Sequence, residues 1–266
     1  TSTHPTDLYY AEYTGDFLPE LFYGRFSANS ASQMTAIVNK TVNYEKYAFE
    51  NDEWLNRIML VAGKETASPA PTCVNGQMNY VKQYFTTLDT AIYYNPASGN
   101  KASEIKQKLN NGYGWINYSA HCDEDGWASP SLTRSNVSAM TNTGMYGVWL
   151  NNCCLSSKYD VSECFAEKLL RQENKAAVAV IGGSNYTYWY EDFYWSVGAK
   201  NATLNPSYSA SALGSYDRMF HTHGETFDKW YTTVGQTIQA GNLAVDLANS
   251  SRKNYYWEVY NLMGDP

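Results

Sequence analysis

Charge is scarce in this sequence. Only 17% of its 266 residues are Asp, Glu, Lys or Arg, where about a quarter is usual in soluble domains. Basic residues are the scarcer sign, 19 against 26 acidic, for a net charge of −7. No Lys/Arg cluster is long enough to follow a phosphate backbone, which argues against nucleic-acid binding. No apolar run approaches the roughly 20 residues that a membrane-spanning helix needs. No CxxC occurs, and the spacing of Cys73, Cys122, Cys153, Cys154 and Cys164 fits no zinc module. Repeats, low-complexity tracts and long linkers are absent too. Gly182-Gly183 is followed by no phosphate-loop Lys and reads as a tight turn.

What is present is aromatic: 15% of the chain, including 24 Tyr. Rings this dense do not stay solvated, so a disordered chain is excluded. The length suits one large domain or two small ones. The acidic balance suits cationic partners, though only as a bulk effect. The start, Thr1-Ser2-Thr3-His4, lacks Met and a signal peptide and reads as a mature or excised piece. Five cysteines are an odd number, so at least one thiol is left over if the rest pair. The vicinal pair Cys153-Cys154 is a poor disulfide, because bridging adjacent residues distorts the peptide between them. A reactive thiol is the feature to test.

Strand and helix patterns alternate. Apolar β-rich runs lie at Ile58–Ala62, Ala91–Tyr94, Trp115–Tyr118, Val148–Leu150 and Ala177–Ile181. Helical spacing marks Ser32–Phe49, Asn75–Phe85, Ser103–Leu109, Ser162–Arg171 and Thr233–Ala248. Ser103 with Glu104, and Ser162 with Glu163, read as helix starts. Continuous apolar strands between helices predict an α/β fold, a parallel sheet flanked by helices.

Parallel sheets bind ligands at the carboxyl ends of their strands. Three such ends carry chemistry here. Ile58–Ala62 runs out into Gly63-Lys64-Glu65, Trp115–Tyr118 into Ser119-Ala120-His121, and Val148–Leu150 into Asn151-Asn152-Cys153-Cys154. A cysteine nucleophile needs a base to form its thiolate, and an imidazole supplies one. A carboxylate on the far imidazole nitrogen would fix the tautomer. His121, Cys154 and Glu65 fit these roles. The His precedes the Cys by about one strand-helix-strand unit, unlike the papain order. The competing reading makes Cys154 a small core residue, His121 a turn residue and Glu65 an ordinary surface acid.

Several stretches carry a resemblance. They are Asn117-Tyr118-Ser119-Ala120-His121, Asn152-Cys153-Cys154, Cys164-Phe165-Ala166-Glu167 and Tyr188 through Ala199. Asp7-Leu8-Tyr9-Tyr10-Ala11, Phe22-Tyr23-Gly24-Arg25 and Tyr255 through Tyr260 belong with them. Together the chain resembles the gingipain family of cysteine peptidases, in particular its lysine-specific branch, over nearly its whole length.

The resemblance implies a caspase-like fold and a set of roles. Cys154 matches the nucleophile, His121 the general base and acid, and Glu65 the third, acidic residue. The N–H groups of Cys154 and Cys122 would form the oxyanion hole, where losing one donor costs about 3–4 kcal/mol. The family has Gly where this chain has Cys122, and Gly reaches backbone angles that Cys does not. Either the local backbone is ordinary or the hole is weakened, and Cys122 is a candidate to oxidise against Cys154. Asp192 matches the acid at the bottom of the P1 pocket, with Ser119 and Asn152 as polar neighbours. Trp189 and Trp127 are candidates to wall the pocket or to be core. The arginine-specific branch keeps its acid soon after the third catalytic residue, yet residues 66–88 contain no Asp or Glu. That absence favours Lys at P1. Asp16, Glu20 and Glu167 match a structural Ca²⁺ site, although Thr14 replaces its first acid.

The expectation is a secreted or cell-surface bacterial cysteine endopeptidase acting on peptide and protein substrates with Lys at P1. Residues 1–50 would be the end of a smaller first subdomain and 51–266 the catalytic one. The resemblance implies a missing part before the chain and an immunoglobulin-like module after it. Two alternatives stay open: a catalytically impaired binding or adhesion module, and a protease that processes only itself or one partner.

Overall fold

The computed structural model describes residues 3–221 and 223–266. Its main sheet comprises β1 (Arg57–Ala62), β2 (Asp89–Tyr93), β3 (Tyr113–Ser119), β7 (Tyr146–Asn152), β8 (Ala179–Gly183) and β9 (Tyr260–Met263). The order is β2-β1-β3-β7-β8-β9. All neighbours run parallel except β9, which is antiparallel to β8. This is the caspase-like α/β class expected from the sequence. Between β3 and β7 lies a small antiparallel sheet of β4 (Cys122–Asp123), β5 (Gly126–Trp127) and β6 (Leu132–Thr133).

Side chains alternate across a strand, and the core divides accordingly. Ile58, Leu60 and Ala62 of β1 face one cluster with Leu150, Ile181 and Leu262. Helices α2 (Ala70–Tyr84), α6 (Trp189–Val197), α7 (Ser215–Met219), α8 (Val234–Leu247) and α9 (Lys253–Val259) supply residues to that cluster. Met59 and Val61 face the other cluster with Ile116, Trp149 and Val180. It is covered by α1 (Ala31–Glu45), α3 (Ala102–Leu109), α4 (Arg134–Ser138) and α5 (Phe165–Leu170). A strand with an apolar residue at every position is what burial on both faces requires.

Three expectations change. Ser103 sits inside the first turn of α3, whose N-cap is Lys101. At α5 the N-cap is Cys164, and the Glu167 carboxylate accepts its N–H at 2.8 Å. Gly182-Gly183 is no turn but the buried end of β8. A Cβ on Gly183 would lie 2.7 Å from the Thr187 methyl, so glycine lets the following loop fold back onto the strand.

Candidate active site

The chain runs from β1 outward to β2, then back across β1 to β3. The reversal opens a crevice at the carboxyl ends of β1 and β3. Register aligns three strand ends there: Ala62 pairs with Ser119, and Ser119 with Asn152. Glu65, His121 and Cys154 each follow within three residues, so the sheet delivers them to one edge.

Glu65 and His121 meet directly. His121 Nε2 lies 2.7 Å from Glu65 Oε2. The other carboxylate oxygen accepts the N–H groups of Thr66 and Ala67, the latter at 2.8 Å. The Ala67 amide, then His121, then the Thr66 amide hold the Glu65 carboxyl down at about 2. The part-exposed Trp189 ring meets the imidazole edge-to-face at 5.1 Å. Trp127 is elsewhere. It is buried, stacks on Tyr118 at 4.4 Å and donates to Asn151 Oδ1 at 2.8 Å. Of the two tryptophans, only Trp189 lies at the site.

Cys154 is part-exposed and free. Its Sγ accepts the Thr187 N–H at 3.4 Å and its thiol faces the Thr187 carbonyl at 3.8 Å. Burial pushes the thiol up, the Thr187 amide pulls it down and nearby Asp192 pushes it up. The other free thiols, Cys73 and Cys164, are buried, and burial drives each up to about 12.

Cys122 does not pair with Cys154. It is bonded to Cys153, with Cα atoms 5.5 Å apart. This corrects the expectation of a Cys122–Cys154 oxidation: the other member of the vicinal pair takes Cys122. The Cys122 φ is not positive, so no glycine-like angle is demanded there. Ala128 donates to the His121 carbonyl at 3.0 Å, which brackets the Cys122–Trp127 pair. That makes the pair the non-hydrogen-bonded kind and leaves the Cys122 N–H pointing away from β5.

Asp192 stands in the first turn of α6, buried to 2% exposure. Thr187 Oγ1 donates to its Oδ2 at 2.9 Å, and the hydroxyls of Tyr256 and Tyr260 each lie 2.8 Å from its Oδ1. Burial pushes this carboxyl up to about 7, against the surrounding hydroxyls. Asn152 and Ser119 are also buried. The Asn152 amide nitrogen shares its two hydrogens among three acceptors: Gln77 Oε1 at 3.2 Å, the Asp192 carbonyl at 3.1 Å and Ser196 Oγ at 2.9 Å. Its Oδ1 accepts from Tyr260. Ser119 Oγ accepts from Gln77 at 3.1 Å. These two residues thus reach Asp192 through a buried network.

Thr187, Gln77, Tyr256 and Tyr260 were not anticipated from sequence. Tyr256 lies in α9 and Tyr260 opens β9, so no single period in the sequence pointed to the pair.

The acidic group near the N-terminus differs from expectation. Glu12, Asp16 and Glu20 converge, with ligand oxygens within 4.8 Å of one another. That spacing fits hard oxygen donors around one Ca²⁺ at roughly 2.4 Å. Glu167 does not join them. It is buried on Arg171 Nη2 at 2.6 Å, on the Ser27 hydroxyl at 2.6 Å and on the Cys164 N–H. Both of its oxygens are engaged within this buried ion pair, and it is not part of the exposed carboxylate group.

A family model described as peptidase family C25 matches residues 1–266. The chain belongs to peptidase family C25. Lys-gingipain of Porphyromonas gingivalis is 36% identical over 98% of this chain and 15% of its own length. Gingipain R2 of the same species is 26% identical over 69% of this chain and 26% of its own. A solved structure titled as a protease superposes with a TM-score of 0.86 at 34% identity, covering 98% of this chain and 58% of that one. The crystal structure of the Arg-specific proteinase gingipain R shares the fold at a TM-score of 0.80 and 20% identity, with the same coverages. The chain therefore spans only a small part of the curated C25 relatives. Among the described residues no helix is long and apolar enough to cross a membrane.

Proposed function

We propose that this chain carries the catalytic centre of a secreted cysteine endopeptidase that cleaves peptide bonds after Lys. One observation carries the reading. Thr187 touches both ends of the required machinery, with its N–H on Cys154 Sγ and its hydroxyl on Asp192. A cationic P1 side chain held by Asp192 would therefore have its carbonyl beside Cys154. The 36% identity to Lys-gingipain supports the choice of Lys. So does the absence of acids in residues 66–88.

In this reading His121 takes the Cys154 proton, and Glu65 keeps the imidazole oriented and stabilises its cation. The thiolate attacks the P1 carbonyl. The N–H groups of Cys154 and Cys122 receive the oxyanion. His121 protonates the leaving amine, and water then hydrolyses the thioester with His121 as base. Trp189 covers the imidazole and packs along the Lys stem. Asn152 and Ser119 hold Asp192 in place. Glu12, Asp16 and Glu20 would hold Ca²⁺ as a structural ion.

The test uses two reporter peptides, identical except for Lys or Arg at P1, with wild type beside Cys154→Ala. Lys cleavage that disappears in the variant supports the reading. Arg cleavage would retain the nucleophile and remove the Asp192 assignment. A second reading, a binding module of the same fold, draws on the resting contact of Cys154 with Thr187 and its raised thiol. No cleavage of either peptide would favour it.

A further inference from the structure

Among the described residues, the groups that act on Asp192 are acidic, thiol or hydroxyl groups. Glu191 is beside it on α6, Cys73 faces it from α2 and Cys154 from the loop after β7. Tyr256 comes from α9, Tyr260 from β9 and Thr187 from the preceding loop.

A hydrogen count around Tyr260 decides how that carboxyl is satisfied. The orientation of Asn152 is fixed first. One of its amide atoms lies 3.1 Å from the Asp192 main-chain carbonyl. A carbonyl only accepts, so that atom must be the nitrogen. The other atom, Oδ1, can then only accept, and its partner is the Tyr260 hydroxyl. That hydroxyl has one hydrogen. Placed on Asn152, it leaves none for Asp192 Oδ1, which sits 2.8 Å from the same Tyr260 oxygen. A carboxylate oxygen facing a hydrogen-free lone pair at that distance is repelled. A proton on Asp192 resolves the conflict by donating to Tyr260. Tyr256 accommodates it as well, because its hydrogen has a second acceptor in the Tyr188 carbonyl at 3.2 Å.

We infer that Asp192 holds a proton while its pocket is empty, donates it to Tyr260, and releases it to solvent when a cationic side chain arrives. This rests on the reading of Asp192 as the P1 acid. The balance is simple: carboxylic acid plus alkylammonium gives the carboxylate–ammonium pair plus one H⁺, taken up by buffer. The burial that pushes this carboxyl up to about 7 agrees with the count. Tyr260 is thus a positioning residue for specificity. Below neutrality a Lys side chain competes with a proton for the pocket, so KM rises towards tenfold per pH unit while kcat holds.

The experiment uses Cys154→Ala protein and a peptide ending in Lys. Titration calorimetry in buffers of different ionisation enthalpy counts the protons exchanged. The expected result is close to one proton released at about pH 6 and close to none at about pH 8.5. Asp192→Asn, which has no proton to lose but also lacks the proposed P1 acid, is kept for the ligand-free readout below. Tyr260→Phe removes the acceptor of the neutral acid, so its release curve should move to lower pH. A move to higher pH would mean that Tyr260 donates to Asp192, and would overturn the inference. So would peptide binding without proton exchange. A second readout needs no ligand: the infrared carbonyl band of a protonated carboxyl at about pH 6, present with Asp192 and lost in Asp192→Asn. Without that difference the inference fails whatever the peptide does. Failure of the Lys peptide to bind, with the band present, sinks the P1 assignment alone.

Discussion

A disulfide joins Cys122 to Cys153, so the residue after His121 is tied to the residue before Cys154. The bond crosses from the end of β3 to the end of β7, between the two side chains proposed to do the chemistry. It closes a loop of sequence separation 31, for which loss of unfolded-chain entropy predicts roughly 3–4 kcal/mol of stability. Cys122→Ser with Cys153→Ser should lower the urea midpoint accordingly. Reductant should do the same to wild type and nothing to the double variant.

Thiol reactivity should be selective. Cys73 and Cys164 are buried and pushed up to about 12, whereas Cys154 is part-exposed. Iodoacetamide at neutral pH should modify Cys154 alone in the native protein, read by peptide mass spectrometry. Labelling of Cys73 or Cys164 at a comparable rate would contradict the packing of α2 and α5.

Glu65→Gln keeps the shape of the side chain and removes its charge. In the proposed mechanism the His121 cation then lacks its counter-ion, so kcat should fall by roughly 10- to 100-fold with little change in KM. Stability should respond too. The Glu65 carboxyl is depressed from 4.5 to about 2, so its contribution is present above pH 4.5 and is lost as pH falls towards 2. Acid titrations of wild type and variant should diverge above that window and converge below it.

Glu20→Gln and Glu167→Gln should separate ion binding from folding. Ca²⁺ should raise the melting temperature of wild type, and the Glu20 variant, which loses a member of the exposed carboxylate group, should not show that rise. Glu167 is paired with buried Arg171, and breaking such a pair typically costs about 3–5 kcal/mol. Its variant should melt earlier yet respond to Ca²⁺ as wild type does. Equal Ca²⁺ responses in all three proteins would remove the carboxylate group as the ion's site.

The parallel strands were legible because apolar side chains fill both faces: Ile58–Ala62 lies within β1 and Trp115–Tyr118 within β3. The antiparallel edge, Tyr260–Met263, was not. It follows directly on α9, and the Tyr-rich segment has no period of two to separate it. Helix α6 escaped because Trp189–Val197 is aromatic on nearly every side, which blurs any amphipathic stripe. At the site, His121 and Glu65 could be placed together, since both follow strands of one sheet. The Cys122–Cys153 bond could not, because connectivity depends on which side of the β3–β7 edge each thiol faces. The burial of Asn152 and Ser119 also lay beyond reach. A polar residue at a strand end looks the same in sequence whether it meets a ligand or a Gln77 amide.

Thr187 binds Cys154 through its backbone and Asp192 through its side chain. Anyone wishing to retarget this scaffold by grafting another Ser184-to-Asp192 segment would exchange the proposed P1 acid and the thiol's amide partner in one move. Under the proposed roles of Cys154 and Asp192, selectivity and turnover are therefore not separable modules. A graft that leaves Cys154 competent must bring an amide to the position that Thr187 now occupies.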